Sequence, residues 1–395
     1  MKSASSSSRL VHTLFALFAL AALAAARAQA AQQVFTGSGT AGVSAALAAF
    51  EAAIGGANNG GGPPAASGFR VINWDGVKLD GSDFAGNTTV IVPGAVVGIP
   101  VNRFDARGVT FAEVYAVAGD GFASVNPAIA GQFPSFSTAN TFAMFNEPSI
   151  ELAMNLPGDS LTPAATKAFG VVFVDVEDSN SASLELLRGE ESLAKVFAPV
   201  GGNGQPSFVG VLLDDAVATE IEIVPGDAQV FDFEHGTVTA NGADNAGSGH
   251  DLAVTDDFVY AEPVADLTAP CVAHDSILCI DDQAGDRRFR TAVKFSTAQG
   301  GGRAGVGQAI DLATLGVGHG GLFWFFDAGN PELLVKALNA CGINDDFWVY
   351  ASAGTNVGFT LGLVDTALGH QAVYANPDLT EAQPIQDTDS PLTCH

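Results

Sequence analysis

The chain reads as all-β, built from two β-sandwich domains of which the second is smaller and disulfide-bonded. Three observations predict this. Between Phe169 and Tyr260, short runs rich in Val, Phe and Ile (FGVVFVDVED, SFVGVLLDD, EIEIV, DDFVY) are separated by Asn, Ser, Gly and Asp. That is the pattern of consecutive antiparallel strands with tight connections. The 46 Gly and 27 Phe supply turns and an aromatic-rich β core. All four cysteines, Cys271, Cys279, Cys341 and Cys394, lie in the last third, an even count that reads as a disulfide framework confined to a C-terminal domain. Three pairings are possible. Proximity favours Cys271–Cys279, and a Cys341–Cys394 bridge would tie down the chain end.

The first 30 residues carry a basic start (Lys2, Arg9), an apolar run LFALFALAALAAA, and Ala28-Gln29-Ala30. This is a signal peptide with a small-x-small cleavage site, and the apolar run is too short for a stable span. Its removal takes Lys2, Arg9 and Arg27 but no acid, so the formal charge moves from −27 to −30. Such acidity speaks against nucleic acid and anionic lipid as partners, and no membrane insertion is expected. The expected location is extracellular or periplasmic. The acidity also suits calcium.

In chain order, residues 31–68 hold one helical stretch, AGVSAALAAFEAAI (41–54), stopped by Gly55-Gly56. The Gly/Ala/Pro-rich stretch that follows reads as a flexible connector. The first sandwich is expected over 69–262, with strands at 88–92, 109–117, 149–154, 169–176 and 219–224. Residues 169–176 are apolar almost throughout and should be central, whereas Ile221 and Ile223 alternate with Glu220 and Glu222, a half-buried strand. A Phe-rich loop at 131–149 is either buried or a recognition surface. Residues 263–270 read as a linker, and 271–395 as the second domain. There RFRTAVKF alternates Phe289, Thr291, Val293 and Phe295 with Arg288, Arg290 and Lys294, and 358–376 forms a hairpin turning at Asp365-Thr366 and Gly369.

FEAAIGGANNG, GFRVINWDGV, FGVVFVDVED, SFVGV and DDFVYAEP, in that order, resemble a family of uncharacterised secreted bacterial β-sandwich proteins over about 32–262. The strand order and closing Asp-Asp-Phe are more loosely similar to galactose-binding-like jelly rolls, which implies a jelly-roll-like first domain. RFRTAVKF, GLFWFF, NPELLVKALNACG and FWVYASAGTNVGFTL resemble an accessory domain at the C-termini of other secreted proteins. That resemblance implies a disulfide-tied β-sandwich without known catalysis, and it makes 332–338 a strand although its propensity is helical.

Motifs for catalysis are mostly missing: no HExxH, GxSxG, P-loop or strand-GxGxxG-helix occurs. Ser192-Leu193-Ala194-Lys195 matches SxxK in letters but sits between strands. The histidines after the signal peptide are single and not spaced as metal ligands. Carboxylates remain. Asp175, Glu177 and Asp178 end the central strand, and the loop NGADNAGSGHD (241–251) is oxygen-rich without EF-hand spacing. Asp256, two residues before Phe258, should point inward with it. An inward carboxylate must accept backbone N–H groups or bind a metal. The calcium reading groups Asp256 with Asp257 and Asp75. Trp74, Trp324 and Trp348 can stack on sugar rings where exposed.

The expectation is an exported, non-catalytic recognition or adhesion protein with a glycan or an extracellular protein as ligand. The alternatives are a secreted hydrolase with an unplaced carboxylate pair, or a structural surface component.

Overall fold

The computed structural model describes residues 32–147, 149–245 and 250–395; the signal peptide expected over 1–30 lies outside them. Residues 32–118 supply β1 (Gln32–Ser38), α1 (Gly39–Ile54), β2 (Phe69–Ile72), β3 (Thr89–Val92), β4 (Val96–Ile99), β5 (Val109–Phe111) and β6 (Tyr115–Ala118). Next come β7 (Thr141–Ala143), β8 (Ile150–Leu156), β9 (Asp159–Ala165), β10 (Ala168–Val174), β11 (Ser183–Arg188), β12 (Glu191–Phe197) and β13 (Pro206–Leu213). The first sandwich ends with β14 (Glu220–Val224), β15 (Phe231–Glu234), β16 (Thr237–Ala240), β17 (Val254–Ala261) and β18 (Val264–Ala265).

A nine-stranded sheet runs β1-β13-β10-β17-β7-β6-β4-β3, with β2 also paired to β17. It faces a seven-stranded sheet, β12-β11-β14-β8-β9-β18, with β5 on β8. Trp74 stacks on Phe142 at 3.7 Å between ring centres, in the core shared by Phe111, Phe169, Phe258 and Tyr260. As its composition requires, β10 is buried along its whole length, between β13 and β17. In β14, Ile221 and Ile223 face the core and the glutamates are half-buried. The stretch read as one strand at 109–117 divides, because β5 joins one sheet and β6 the other.

The large sheet is covered on its outer face too. Ala-rich α1 lays Val43, Phe50 and Ile54 across Val172 and Phe208. Gly170 and Gly210 sit opposite each other in β10 and β13 and make the room. A Cβ on either would meet the Phe50 and Phe208 rings at 3.0 Å or less. The rest of that face lies under the β15–β16 hairpin, where Phe231 packs on Phe145 and Phe122.

Two expectations need correction, and one burial goes beyond what alternation shows. The 55–68 connector is not loose. Buried Arg70 donates to Gly60, Gly62 and Pro63 carbonyls, and Glu262 accepts from Ala65 N and Asn59 Nδ2. Residues 263–270 do not form a free linker, since Val264 and Ala265 pair with β9. Arg290, one of the charged residues alternating in RFRTAVKF, is 5% exposed and donates to Asn155 Oδ1 of the first sandwich at 2.8 Å.

The second sandwich comprises β19 (Leu278–Ile280), β20 (Phe289–Thr297), β21 (Arg303–Val306), β22 (Gln308–Asp311), β23 (Gly320–Trp324), β24 (Leu333–Asn339), β25 (Phe347–Ala353), β26 (Gly358–Asp365), β27 (His370–Asn376) and β28 (Ile385–Asp387). Two five-stranded sheets, β19-β20-β26-β27 with β21 on β20, and β22-β23-β24-β25-β28, enclose a core of Phe289, Phe323, Phe347 and Leu361. Of the stretch 332–338, all but Glu332 is strand, because β24 fills the gap between β23 and β25 and tertiary pairing overrides helix propensity. The bridges are Cys271–Cys279 and Cys341–Cys394. No helix among the described residues is long and apolar enough to cross a membrane.

Candidate cation-binding site

The strand β10 ends in a turn that brings carboxylates together. Asp175 has φ of 75°, a left-handed conformation that Asp tolerates better than most residues. Its N–H donates to Gln205 O at 3.0 Å, and its Oδ1 accepts from Gly204 N. The following turn is held by Asp251, fully buried, which accepts from Asp178 N at 2.8 Å, Ser181 Oγ at 2.6 Å and Glu177 N at 3.2 Å. Asp251 in turn donates its N–H to Asp227 Oδ1 at 2.8 Å. This clamp fixes the 241–245 stretch beside the turn, with Asp244 Oδ1 accepting from Leu252 N at 3.3 Å.

Asp175, Glu177 and Asp244 thus each offer an oxygen, and these lie within 4.8 Å of one another. Asp175 is 0% exposed, and its Oδ2, like Asp244 Oδ2, is buried without a hydrogen-bond partner. Carboxylate oxygens cannot satisfy each other, so a proton or a cation must stand between them. Burial first, then the Asp244 and Glu177 charges, push the Asp175 carboxyl up to about 7. Burial and Asp244 also raise Glu177. The buried acidic triad can hold a metal ion, and a donor set made only of oxygens selects hard cations such as calcium or magnesium over zinc or copper.

The sequence reading placed calcium at Asp75, Asp256 and Asp257, and the structure arranges these differently. A β-bulge sets Asp256 and Asp257 together opposite Val172, since Phe258 pairs with Val171 and Thr255 with Phe173. The extra residue turns Asp256 away from the Phe258 side, so that it joins Asp257 on the face under α1. There Asp256 Oδ2 accepts from Phe136 N at 2.6 Å and Oδ1 from Ser137 Oγ at 2.7 Å. Asp256 therefore anchors the Phe-rich loop. Burial and the neighbouring Asp257 charge raise it to about 8, and burial raises Asp257 as well. Asp75 is engaged separately by Asn73 Nδ2 at 3.2 Å and Asn140 N at 3.4 Å. Among the described residues, Asp175, Glu177 and Asp244 form the one group of three acids whose donor atoms converge this closely.

Both halves of that group were visible in the sequence, as the acids after the central strand and as the oxygen-rich loop. What the sequence lacked was the juxtaposition, which the β10–β17 register and the Asp251 clamp supply. The SxxK letters have no catalytic arrangement: Ser192 and Lys195 lie in β12, and Lys195 pairs with Glu185 at 2.8 Å. Trp74 is core, whereas Trp324 and Trp348 are half-buried. No protein-family model, curated protein or solved structure matches this chain.

Proposed function

We propose that this chain is an exported, non-catalytic recognition or adhesion protein whose first sandwich binds Ca2+ at Asp175, Glu177 and Asp244. The observation that carries the proposal is the facing pair of buried, partnerless oxygens on Asp175 and Asp244. A calcium ion would take these two, an oxygen of Glu177 and waters, filling the six to eight positions it prefers. Its role would be to hold the 241–245 stretch against the end of β10, as a structural clip. Two disulfides suit an oxidising compartment, in keeping with export. Glycans or extracellular proteins are the ligand classes that such a surface would serve. The Asp256–Asp257 pair is buried beneath the Phe136 loop, which disfavours it as a hydrolytic pair.

The test is calorimetric titration of the full chain with Ca2+, followed by thermal melts with Ca2+ or EDTA. Saturation at 100 times Kd should stabilise by about 2.7 kcal/mol. Asp175→Asn should abolish both the heat of binding and the stabilisation. A glycan array and intact cells probed in both buffers then report the ligand. Absence of calcium binding removes the clip, and reproducible turnover of a polysaccharide, ester or peptide removes the non-catalytic reading.

A further inference from the structure

The second sandwich has one face that its own chain leaves uncovered. In β24, Leu333, Val335 and Ala337 point into the core, so Leu334, Lys336 and Leu338 point out. In β25, Phe347, Val349 and Ala351 point in, and Trp348, Tyr350 and Ser352 point out. The register sets Lys336 opposite Tyr350, Leu338 opposite Trp348, and Leu334 opposite Ser352. Beyond β25, Pro384, Ile385 and Gln386 form a wall, with Gln386 opposite Tyr350. Between wall and β24 runs an open groove of about 450 Å³.

We propose that this groove binds an anionic saccharide, a glycan chain carrying uronate carboxylates. The inference rests on the recognition reading above and gives it a ligand class and a place. Charge complementarity selects the ligand. In a chain with 43 acids, no carboxylate lines this groove, and its one charged lining residue is Lys336. The Lys336 ammonium makes no ion pair or hydrogen bond with any described residue, so it is free to meet a carboxylate. The net negative charge of the chain does not forbid this, because charges farther away than about 8 Å are screened at physiological salt.

The rest of the groove matches a sugar. Tyr350 lines the groove and Trp348 stands beside it on the same face, their ring centres 6.4 Å apart and their planes at 70°. Trp348 Nε1 donates to Asn344 Oδ1 at 2.9 Å, which holds the indole. An aromatic face is electron-rich and accepts the weakly positive C–H face of a pyranose. The Tyr350 hydroxyl, Ser352 Oγ and the Gln386 amide take no hydrogen bond from the described residues and are available to sugar hydroxyls. From Trp348 to Ser352 the strand advances roughly 13 Å, the length of a short oligosaccharide.

The full chain is titrated with an oligogalacturonate and with a neutral oligogalactan, read by calorimetry and by tryptophan fluorescence. The uronate should bind and change the fluorescence, and the change should vanish in Trp348→Phe. Lys336→Gln and Tyr350→Ala should each weaken uronate binding about tenfold, the effect of one lost charge-assisted hydrogen bond or aromatic contact. Lys78→Gln, an equal charge change on an exposed residue of the first sandwich, should leave it unchanged. Thermal melts establish that every variant is folded. Equal affinity for the neutral glycan, or a Tyr350-dependent dimer in light scattering, would overturn the proposal. Glycan binding that survives both groove variants would discard this site and leave the recognition reading intact. Failure of the full chain to bind any glycan or cell surface would discard both.

Discussion

Arg70→Met should cost about 3–5 kcal/mol, the usual penalty for breaking a buried, hydrogen-bonded ion pair from one side. Arg70 is 0% exposed and Glu262 5%. The guanidinium grips the carboxylate through both arms, Nε to Oε2 at 2.8 Å and Nη2 to Oε1 at 2.7 Å. It also donates to Gly60 O at 2.8 Å and to Gly62 O and Pro63 O at 3.0 Å. Met fills similar volume, so the loss is electrostatic: one uncompensated carboxylate and four carbonyls, Ala106 O at 3.3 Å among them, without their donor. The carbonyls can turn to water as the connector detaches, so their loss is not added to the pair term. At about 2–4 °C per kcal/mol for a domain of this size, the melting temperature should fall by roughly 6–20 °C. Limited proteolysis should then cut between Gly55 and Gly68. Pairing it with Glu262→Met should recover part of the loss, since no charge remains buried. Burial alone would raise the Glu262 carboxyl, but Arg70, Ala65 N and Asn59 outweigh it and hold it below its ordinary value. Its contribution is therefore complete above the unfolded value of about 4.3 and fades as pH falls through the lower folded one. The gap between wild type and Arg70→Met should shrink under those acidic conditions. A melt within about 1 kcal/mol of wild type at neutral pH, with the connector still protected, would refute the account.

Two further predictions concern the acid pair and the bridges. Because Asp256 and Asp257 titrate above their unfolded values, their contribution is complete below about pH 4 and is lost as pH rises toward 8. Asp257→Asn should therefore be about 1–3 kcal/mol more stable than wild type at pH 8 and no more stable at pH 4, and equal melts at pH 8 would contradict this. For the disulfides, closing 53 residues constrains the unfolded chain by about 4 kcal/mol and closing 8 by about 2.5 kcal/mol. Paired Cys→Ser changes at 341 and 394 should lower denaturant midpoints more than those at 271 and 279, and the reverse order would show that native contacts, not loop entropy, dominate.

Sequence periodicity carried the strands whose burial is decided locally. Phe169–Val174 announces a doubly covered strand, and the Glu-Ile-Glu-Ile run announces a half-buried one, because each residue's face follows from its neighbours. Alternation failed where geometry is set from across the sheet. One extra residue at the 256–257 bulge reverses the face of Asp256, and nothing in DDFVY signals it. Gly-rich 55–68 looked mobile because its anchor, Glu262, lies some 200 positions away. The burial of Arg290 was not legible because its partner, Asn155, belongs to the other sandwich. β1 went unrecognised since QQVFTGS is polar at an exposed edge. The triad sat in two legible pieces, DVED and NGAD, whose meeting depends on the Asp251 hydrogen bonds.

The pairing of β1 with β13 has a consequence for how the chain acquires its fold. The first described strand, Gln32–Ser38, finds its mate only in Ser207–Leu213. Phe69–Ile72 waits likewise for Phe258–Ala261. Contacts so distant along the chain are entropically late and make folding slow. The strands of residues 89–197 can pair among themselves, as β3-β4-β6-β7 and β11-β12 do, but neither sheet of the first sandwich is complete until β13, β14 and β17 arrive. A polypeptide wired in this way can assemble its inner hairpins early, and joins them into one broad sheet only when its distant strands arrive.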